Sequence, residues 1–200
     1  MSEPWFLRFR VFPSESIGYS RQRGMLKNLI LVGFMGTGKS TIGRQLSKAL
    51  GYPLIDTDAR IVAQQKRPIV NIFEQEGEEY FRNLETETLR SLLNDNCHKR
   101  IIAAGGGIVL REENRQLLRE LGFVVWLVAT PATILERTSR NKDRPLLQSP
   151  NPEETIHLMM QQRETSYRES SHLTLETSNL EFSEITAGII ESARYHYGNQ

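Results

Sequence analysis

Residues Gly33-Phe34-Met35-Gly36-Thr37-Gly38-Lys39-Ser40 read G-x-x-x-x-G-K-S. They lie between an apolar run, Leu29-Ile30-Leu31-Val32, and a helix-like segment over residues 41–50. This order of strand, glycine-rich turn and helix marks a phosphate-binding loop, because each part has a physical task. Glycines let backbone N–H groups turn inward, where side chains would block a polyphosphate. The following helix presents its unpaired N-terminal amides and the positive end of its dipole to the same anion. Gly36, Thr37, Gly38 and Thr41 then cradle the phosphates, Lys39 reaches the β- and γ-phosphates, and the Ser40 hydroxyl binds Mg²⁺. A glycine-rich turn without a ligand is the plain alternative, and the flanking strand and helix disfavour it.

From residue 28 onward, strand-like and helix-like segments alternate. Strands are expected at residues 28–32, 53–55, 100–104, 123–128 and 173–175, with helices between and after them. A helix opening after Pro68 should end at Gly77, and a longer one follows over residues 78–93. Continuous apolar strands separated by helices predict an α/β fold: a five-stranded parallel sheet with helices on both faces, in three αβα layers. Residues 1–24 differ, with four arginines, several serines and no sustained period; they read as a disordered extension before a single domain over residues 25–200. No apolar run approaches the ~20 residues that span a bilayer. A net charge of +1 gives no bulk attraction to nucleic acid or an anionic membrane. The one cysteine, Cys97, excludes an internal disulfide and fits a reducing cytoplasm. The four histidines show no metal-ligand spacing and read as structural or surface residues.

A phosphate-binding loop names a nucleotide and not a task. A GTPase would carry D-x-x-G and N-K-x-D; residues 141–144 come near the latter but place Arg144 where the aspartate is needed. A motor ATPase would end a strand in an acid, whereas the strand at residues 100–104 runs into Gly105-Gly106-Gly107. Phosphoryl transfer to a small acceptor remains.

Several further motifs stand in order: Asp56-Thr57-Asp58, Tyr80-Phe81-Arg82 followed by Glu85, Ala103-Ala104-Gly105-Gly106-Gly107, Arg144-Pro145-Leu146-Leu147, and Arg163 with Tyr167. With the phosphate-binding loop, this set resembles the shikimate kinases over nearly the whole chain beyond the N-terminal segment. The resemblance implies ATP as donor, Mg²⁺ as cofactor and shikimate as acceptor, in a cytoplasmic monomer. It assigns Arg82 and Arg163 to the shikimate carboxylate, which a planar guanidinium grips with two parallel hydrogen bonds. Glu85 would orient Arg82. Asp56 joins the Mg²⁺ environment, Asp58 meets the substrate hydroxyls, and Gly105, Gly106 and Gly107 approach the ring. Arg137 matches the position that stacks on adenine, and residues 140–152 match a mobile lid carrying Arg144.

Competing local readings exist for each. Arg82 can pair with Glu78 or Glu85 on its own helix, and Arg163 with Glu164 or Glu169. Asp58 can cap a helix beginning at Ala59. Arg137 can be an ordinary surface arginine. Some shikimate kinases carry a hydroxyl residue where this chain has Ala103 or Ala104, so no protein hydroxyl from this strand assists the metal. A gluconate-type kinase on the same fold is the second reading, and a non-enzymatic regulator the third.

Charge that arrives only on lid closure acts mainly on the transition state. Arg144→Ala should therefore lower kcat by roughly 10²–10³ with a smaller change in the KM for ATP. Arg144→Lys should recover only part of the loss, because a point charge cannot reproduce a two-pronged contact. Steady-state kinetics of Arg144→Ala beside Arg140→Ala provide the check; equal, small effects would make Arg144 an ordinary loop charge.

Overall fold

A computed structural model of the chain describes residues 10–11, 27–95, 97–138 and 151–198. In chain order the elements are β1 (Arg10–Val11), β2 (Asn28–Val32), α1 (Lys39–Leu50), β3 (Leu54–Asp56), α2 (Thr57–Gln65), α3 (Ile69–Asn94) and β4 (Ile101–Ala103). Then follow a 3₁₀ turn (Ile108–Leu110), α4 (Glu112–Leu121), β5 (Gly122–Val128), α5 (Pro131–Thr138), α6 (Pro152–Ser170), β6 (Leu173–Glu176) and α7 (Phe182–Gly198).

The sheet order is β1-β6-β5-β2-β4-β3. Five strands, β6 to β3 in that order, are mutually parallel, as the apolar strand pattern predicts. The sixth is an addition: β1 pairs antiparallel with β6 at the sheet edge, with Arg10 opposite Thr174 and Val11 opposite Leu173. The rest of residues 1–24 lies outside the described residues.

Alternation along β2 distributes its side chains to two cores. Leu29 and Leu31 pack with Ile42 and Leu46 of α1 and with Ile185 and Ile189 of α7. Ile30 and Val32 pack on the other face with Leu89 and Leu92 of α3, Leu118 of α4 and Tyr167 of α6. The central strand is thus buried on both faces, which explains why its sequence is apolar without a polar alternate.

The helix after Pro68 ends where expected: Gly77 (φ 82°, ψ 173°) is non-helical, so α3 is two helices joined at a kink. One local reading changes. The capping residue of α2 is Asp56 and not Asp58: the helix begins at Thr57, and the Asp56 Oδ1 accepts the Ala59 N–H at 3.1 Å. Asp58 therefore lies inside the first helical turn, where a carboxylate also suits the dipole.

At the opposite end of the sheet from these motifs, His172 Nδ1 accepts the Val124 N–H at 3.0 Å and its ring stacks on Phe123. Burial, with help from Arg119 and His196, pulls the His172 pKa down to about 3. The unfolded chain, with its histidine near 6.5, then binds more protons between about pH 6.5 and 3. This contribution to stability is complete above pH 6.5 and is lost as the pH falls below it, with a slope of up to about 1.4 kcal/mol per pH unit. Thermal or urea melts from pH 7.5 to pH 5 should show a shallower pH dependence for His172→Asn than for the wild-type chain. Parallel curves would show that His172 is not buried neutral.

Candidate active site

The loop between β2 and α1 forms one half of a cleft. Gly33, Gly36 and Gly38 take φ values of 142°, 78° and 96°, a region that other residues rarely enter. A Cβ on Gly33 would also collide with the Leu127 carbonyl of β5. Gly38 caps α1 without a side-chain bond, and the first turn of α1 has no acidic residue. The helix start therefore offers N–H groups and dipole charge to an anion. Lys39 folds over the loop and donates to the carbonyls of Gly33 (2.7 Å) and Phe34 (2.9 Å). Ser40 and Thr41 line the cleft with Gly36, Gly38 and Lys39. Thr37 does not line it: it is buried, its Oγ1 donates to the Phe34 carbonyl at 2.8 Å, and its own carbonyl accepts the Thr177 hydroxyl at 3.1 Å.

The second half comes from the ends of β3 and β4 and from α3 and α6. Asp56 and Asp58 both line the cleft. They do so across a strand-to-helix junction, Asp56 closing β3 and Asp58 lying in the first turn of α2. Thr57 between them is fully buried, and its hydroxyl accepts the Gly105 N–H at 2.9 Å. Gly105 packs so closely on Asp58 that a Cβ there would collide with its carboxylate. Gly106 and Gly107 line the cleft, and a Cβ on Gly107 would run into the Arg82 guanidinium.

Arg82 makes both of the local pairs its neighbours allow: Nη1 donates to Glu85 at 2.6 Å, and Nη2 to Glu78 at 3.0 Å. The pairing with Glu85 and the contact with Gly107 together hold Arg82 beside the cleft. Glu78 is 63% exposed and Glu85 only 1%, so the first pair is exchangeable and the second is built in. Burial pushes the Glu85 carboxyl up to about 7, against the pull of Arg82 and with a push from Asp58.

Arg163 lines the cleft, stands over the Phe34 ring at 5.6 Å, and reaches the Gly106 carbonyl at 3.4 Å. Its two rival partners are engaged elsewhere, Glu164 with Arg168 and Glu169 with Arg115. At the other end of the cleft, Arg137 donates to the Thr177 carbonyl (2.9 Å) and the Gly36 carbonyl (3.4 Å), with Phe182 beneath it at 5.9 Å. The whole cleft measures about 880 Å³. Arg144 and most of residues 140–152 lie outside the described residues.

A volume of this size holds a nucleotide and a small second substrate. The shikimate kinase family profile matches residues 35–194, which takes in both halves of the cleft. The chain belongs to the shikimate kinase family. It is a kinase with a P-loop nucleotide site. A shikimate kinase of Thioalkalivibrio sulfidiphilus is 44% identical over 172 residues, covering 86% of this chain and 88% of the relative. The solved shikimate kinase of Acinetobacter baumannii in complex with shikimate superposes with a TM-score of 0.79 at 37% identity, covering 86% and 94% of the two chains. A Sinorhizobium meliloti gluconokinase, at 16% identity and a TM-score of 0.51 over 86% and 97%, shares the fold alone.

Shikimate kinase motifs accounted for the charged residues of the cleft, but not for Thr57, Thr177 or Phe182. Thr57 and Thr177 act through hydrogen bonds to backbone 48 and 140 residues away, and such pairings carry no local pattern. Phe182 opens α7 and reaches the cleft only through the final fold.

Gly107 has a φ of −101°, so alanine there meets no backbone strain and acts only by displacing Arg82. Gly107→Ala should raise the acceptor KM by about tenfold to a hundredfold, with nucleotide affinity nearly unchanged. Steady-state kinetics in both substrates check this; an equal rise in both KM values would mean a general collapse of the cleft.

Proposed function

We propose that the chain transfers the γ-phosphoryl group of ATP to the 3-hydroxyl of shikimate, giving shikimate 3-phosphate and ADP on the route to aromatic amino acids. The observation that carries this reading is the meeting, in one cleft, of a P-loop and an arginine- and glycine-lined acceptor half in a chain of this family. The donor phosphates rest on the Gly36–Thr41 backbone with Lys39 turned from its loop carbonyls onto the β- and γ-phosphates. The adenine lies at the Arg137 and Phe182 end, where a guanidinium can stack on the base.

The acceptor carboxylate meets Arg163 and Arg82. At Arg82 it takes the place of exposed Glu78, while buried Glu85 keeps the guanidinium in position. The close approach of Gly106 and Gly107 leaves room for the ring. Asp58 receives the substrate hydroxyls and aims the attacking one. Since the transferring group passes through a loose transition state, positioning matters more here than deprotonation, and Asp58 is an orienting group before it is a base.

The Ser40 hydroxyl and the Asp56 carboxylate suit Mg²⁺. Both are hard oxygen donors lining the cleft, and Asp56 spends only Oδ1 on its capping bond. Mg²⁺ takes few protein oxygens and completes its shell with phosphates and water. When bound, it neutralises charge on the β- and γ-phosphates. The reading includes a monomer in the cytoplasm, a setting that suits the one exposed thiol, Cys97. Among the described residues no helix is long and apolar enough to cross a membrane. Arg144 and its lid would close over the reactants and exclude water.

A coupled ADP assay against a panel of small hydroxy acids tests the acceptor. Rapid turnover with gluconate and none with shikimate would replace this reading by the gluconate-type kinase. Lys39→Ala should reduce kcat by more than about 10³ while shikimate binding stays measurable. Arg163→Ala should raise the shikimate KM roughly 30- to 100-fold, the worth of a charge-assisted pair, with little effect on nucleotide affinity. If both variants weakened binding of the same ligand only, the division into donor and acceptor halves would be wrong.

A further inference from the structure

Arg163 and Tyr167 stand four residues apart on α6, one turn above the other on the same face. Both reach a single oxygen, the Gly106 carbonyl. The Tyr167 hydroxyl donates to it at 2.6 Å, and Arg163 Nη1 at 3.4 Å. A carbonyl oxygen has two lone pairs, so both donors can be accommodated, but the two bonds are unequal. The phenol bond is short and well made; the guanidinium bond lies at the long limit.

Nothing in the division of the cleft into donor and acceptor halves uses Tyr167, which does not line the cleft itself but reaches one of its lining residues, Gly106, through the hydroxyl. Its ring is 2% exposed and stacked on Trp126, with centroids 5.6 Å apart and planes 15° from parallel. The hydroxyl is thereby delivered to one place. Gly106 lies beside the P-loop backbone: a Cβ on it would be in ordinary contact with the Gly33 carbonyl at 3.6 Å and the Met35 amide at 3.7 Å. Gly106 is thus where the acceptor glycines meet the P-loop backbone.

We infer that Tyr167 is a positioning residue for the acceptor half: its phenol satisfies the Gly106 carbonyl, and so leaves Arg163 loosely tied and directed at the substrate carboxylate. This rests on the assignment of Arg163 to the acceptor. Without the phenol, the Gly106 carbonyl would be left with Arg163 as its side-chain donor. A carbonyl deprived of a partner costs free energy, so the guanidinium is drawn onto it and away from the substrate. Burial pushes the Tyr167 hydroxyl up to about 12, although Arg163 pulls it down. The group therefore remains a proton donor throughout the working range.

The test compares wild type with Tyr167→Phe, which keeps the ring and its stack on Trp126 and removes only the hydroxyl. Shikimate Kd by calorimetry without nucleotide, and the shikimate KM, should both rise about 5- to 30-fold. The values of kcat and of the KM for ATP should stay within about threefold. A purely structural role would lower the melting temperature without this split. In an Arg163→Lys background the same substitution should cost less than about threefold, because the group it acts through is already altered.

Unchanged shikimate affinity, a penalty that adds fully to that of Arg163→Lys, or a fall in kcat alone would overturn the inference. So would failure of Tyr167→Phe to fold, since the bond to Gly106 would then be needed to hold the chain together and not to free Arg163. A wild-type protein that did not bind shikimate would remove the acceptor assignment and this inference together. Equal binding by wild type and Tyr167→Phe would remove only the latter.

Discussion

The parallel pairing of β2 with β4 is the constraint on which the cleft depends. Leu31 lies opposite Ala103, and the Ala104 N–H donates to the Leu31 carbonyl at 3.0 Å. Both strands therefore end at the same level, and each runs directly into glycines. The P-loop and the triple glycine emerge side by side at the C-terminal edge of the sheet, where open parallel sheets bind ligands. Gly33 has no room for a side chain, since a Cβ there would collide with the Leu127 carbonyl, and Gly106 lies beside it. A one-residue change of register would turn Leu31 and Ala103 to opposite cores and separate the two loops.

The chain then surrounds this junction with hydrogen bonds from distant elements. Thr57 holds Gly105, Tyr167 holds Gly106, and Arg82 packs against Gly107. On the other side Thr177 binds the Thr37 and Val128 carbonyls, and Arg137 ties Thr177 to Gly36. Glycine loops lose more conformational entropy on ordering than other loops do. A site made of two of them must be tied at several points, and these side chains supply the ties.

Electrostatics divide the cleft along the same line. The P-loop half is made of amides, the α1 dipole and Lys39, and it holds no acid in the first turn of α1. The other half mixes signs, with Arg82 and Arg163 near Asp58 and Glu85. Glu85 is the most burdened of these, because burial and Asp58 both disfavour its charge while Arg82 supports it. A buried acid that loses its cation would carry an uncompensated charge, which makes the Arg82–Glu85 pair a built-in support and not a surface ornament.

Much of this was legible in the linear chain. The G-x-x-x-x-G-K-S spacing, the apolar strands and the helices between them determined a parallel α/β sheet with a phosphate site, because backbone periodicity and glycine conformation are local properties. Asp56, Asp58, Arg82, Arg137 and Arg163 stood out as charges in ordered motifs. Local reasoning misjudged what tertiary contacts decide. It offered Asp58 as a competing cap for α2 where Asp56 makes the bond, and it gave no sign that the Thr37 side chain turns inward to bind the Phe34 carbonyl. It weighed the Glu78 and Glu85 ion pairs against a substrate contact for Arg82; both ion pairs form, and the guanidinium packs on Gly107. The edge pairing of Arg10–Val11 with β6, the grip of Thr57 and Thr177 on remote backbone, and the meeting of Tyr167 and Arg163 at one carbonyl belong to the tertiary structure alone. Each joins residues far apart in sequence, and a hydrogen bond between them exists only once the sheet has set their distance.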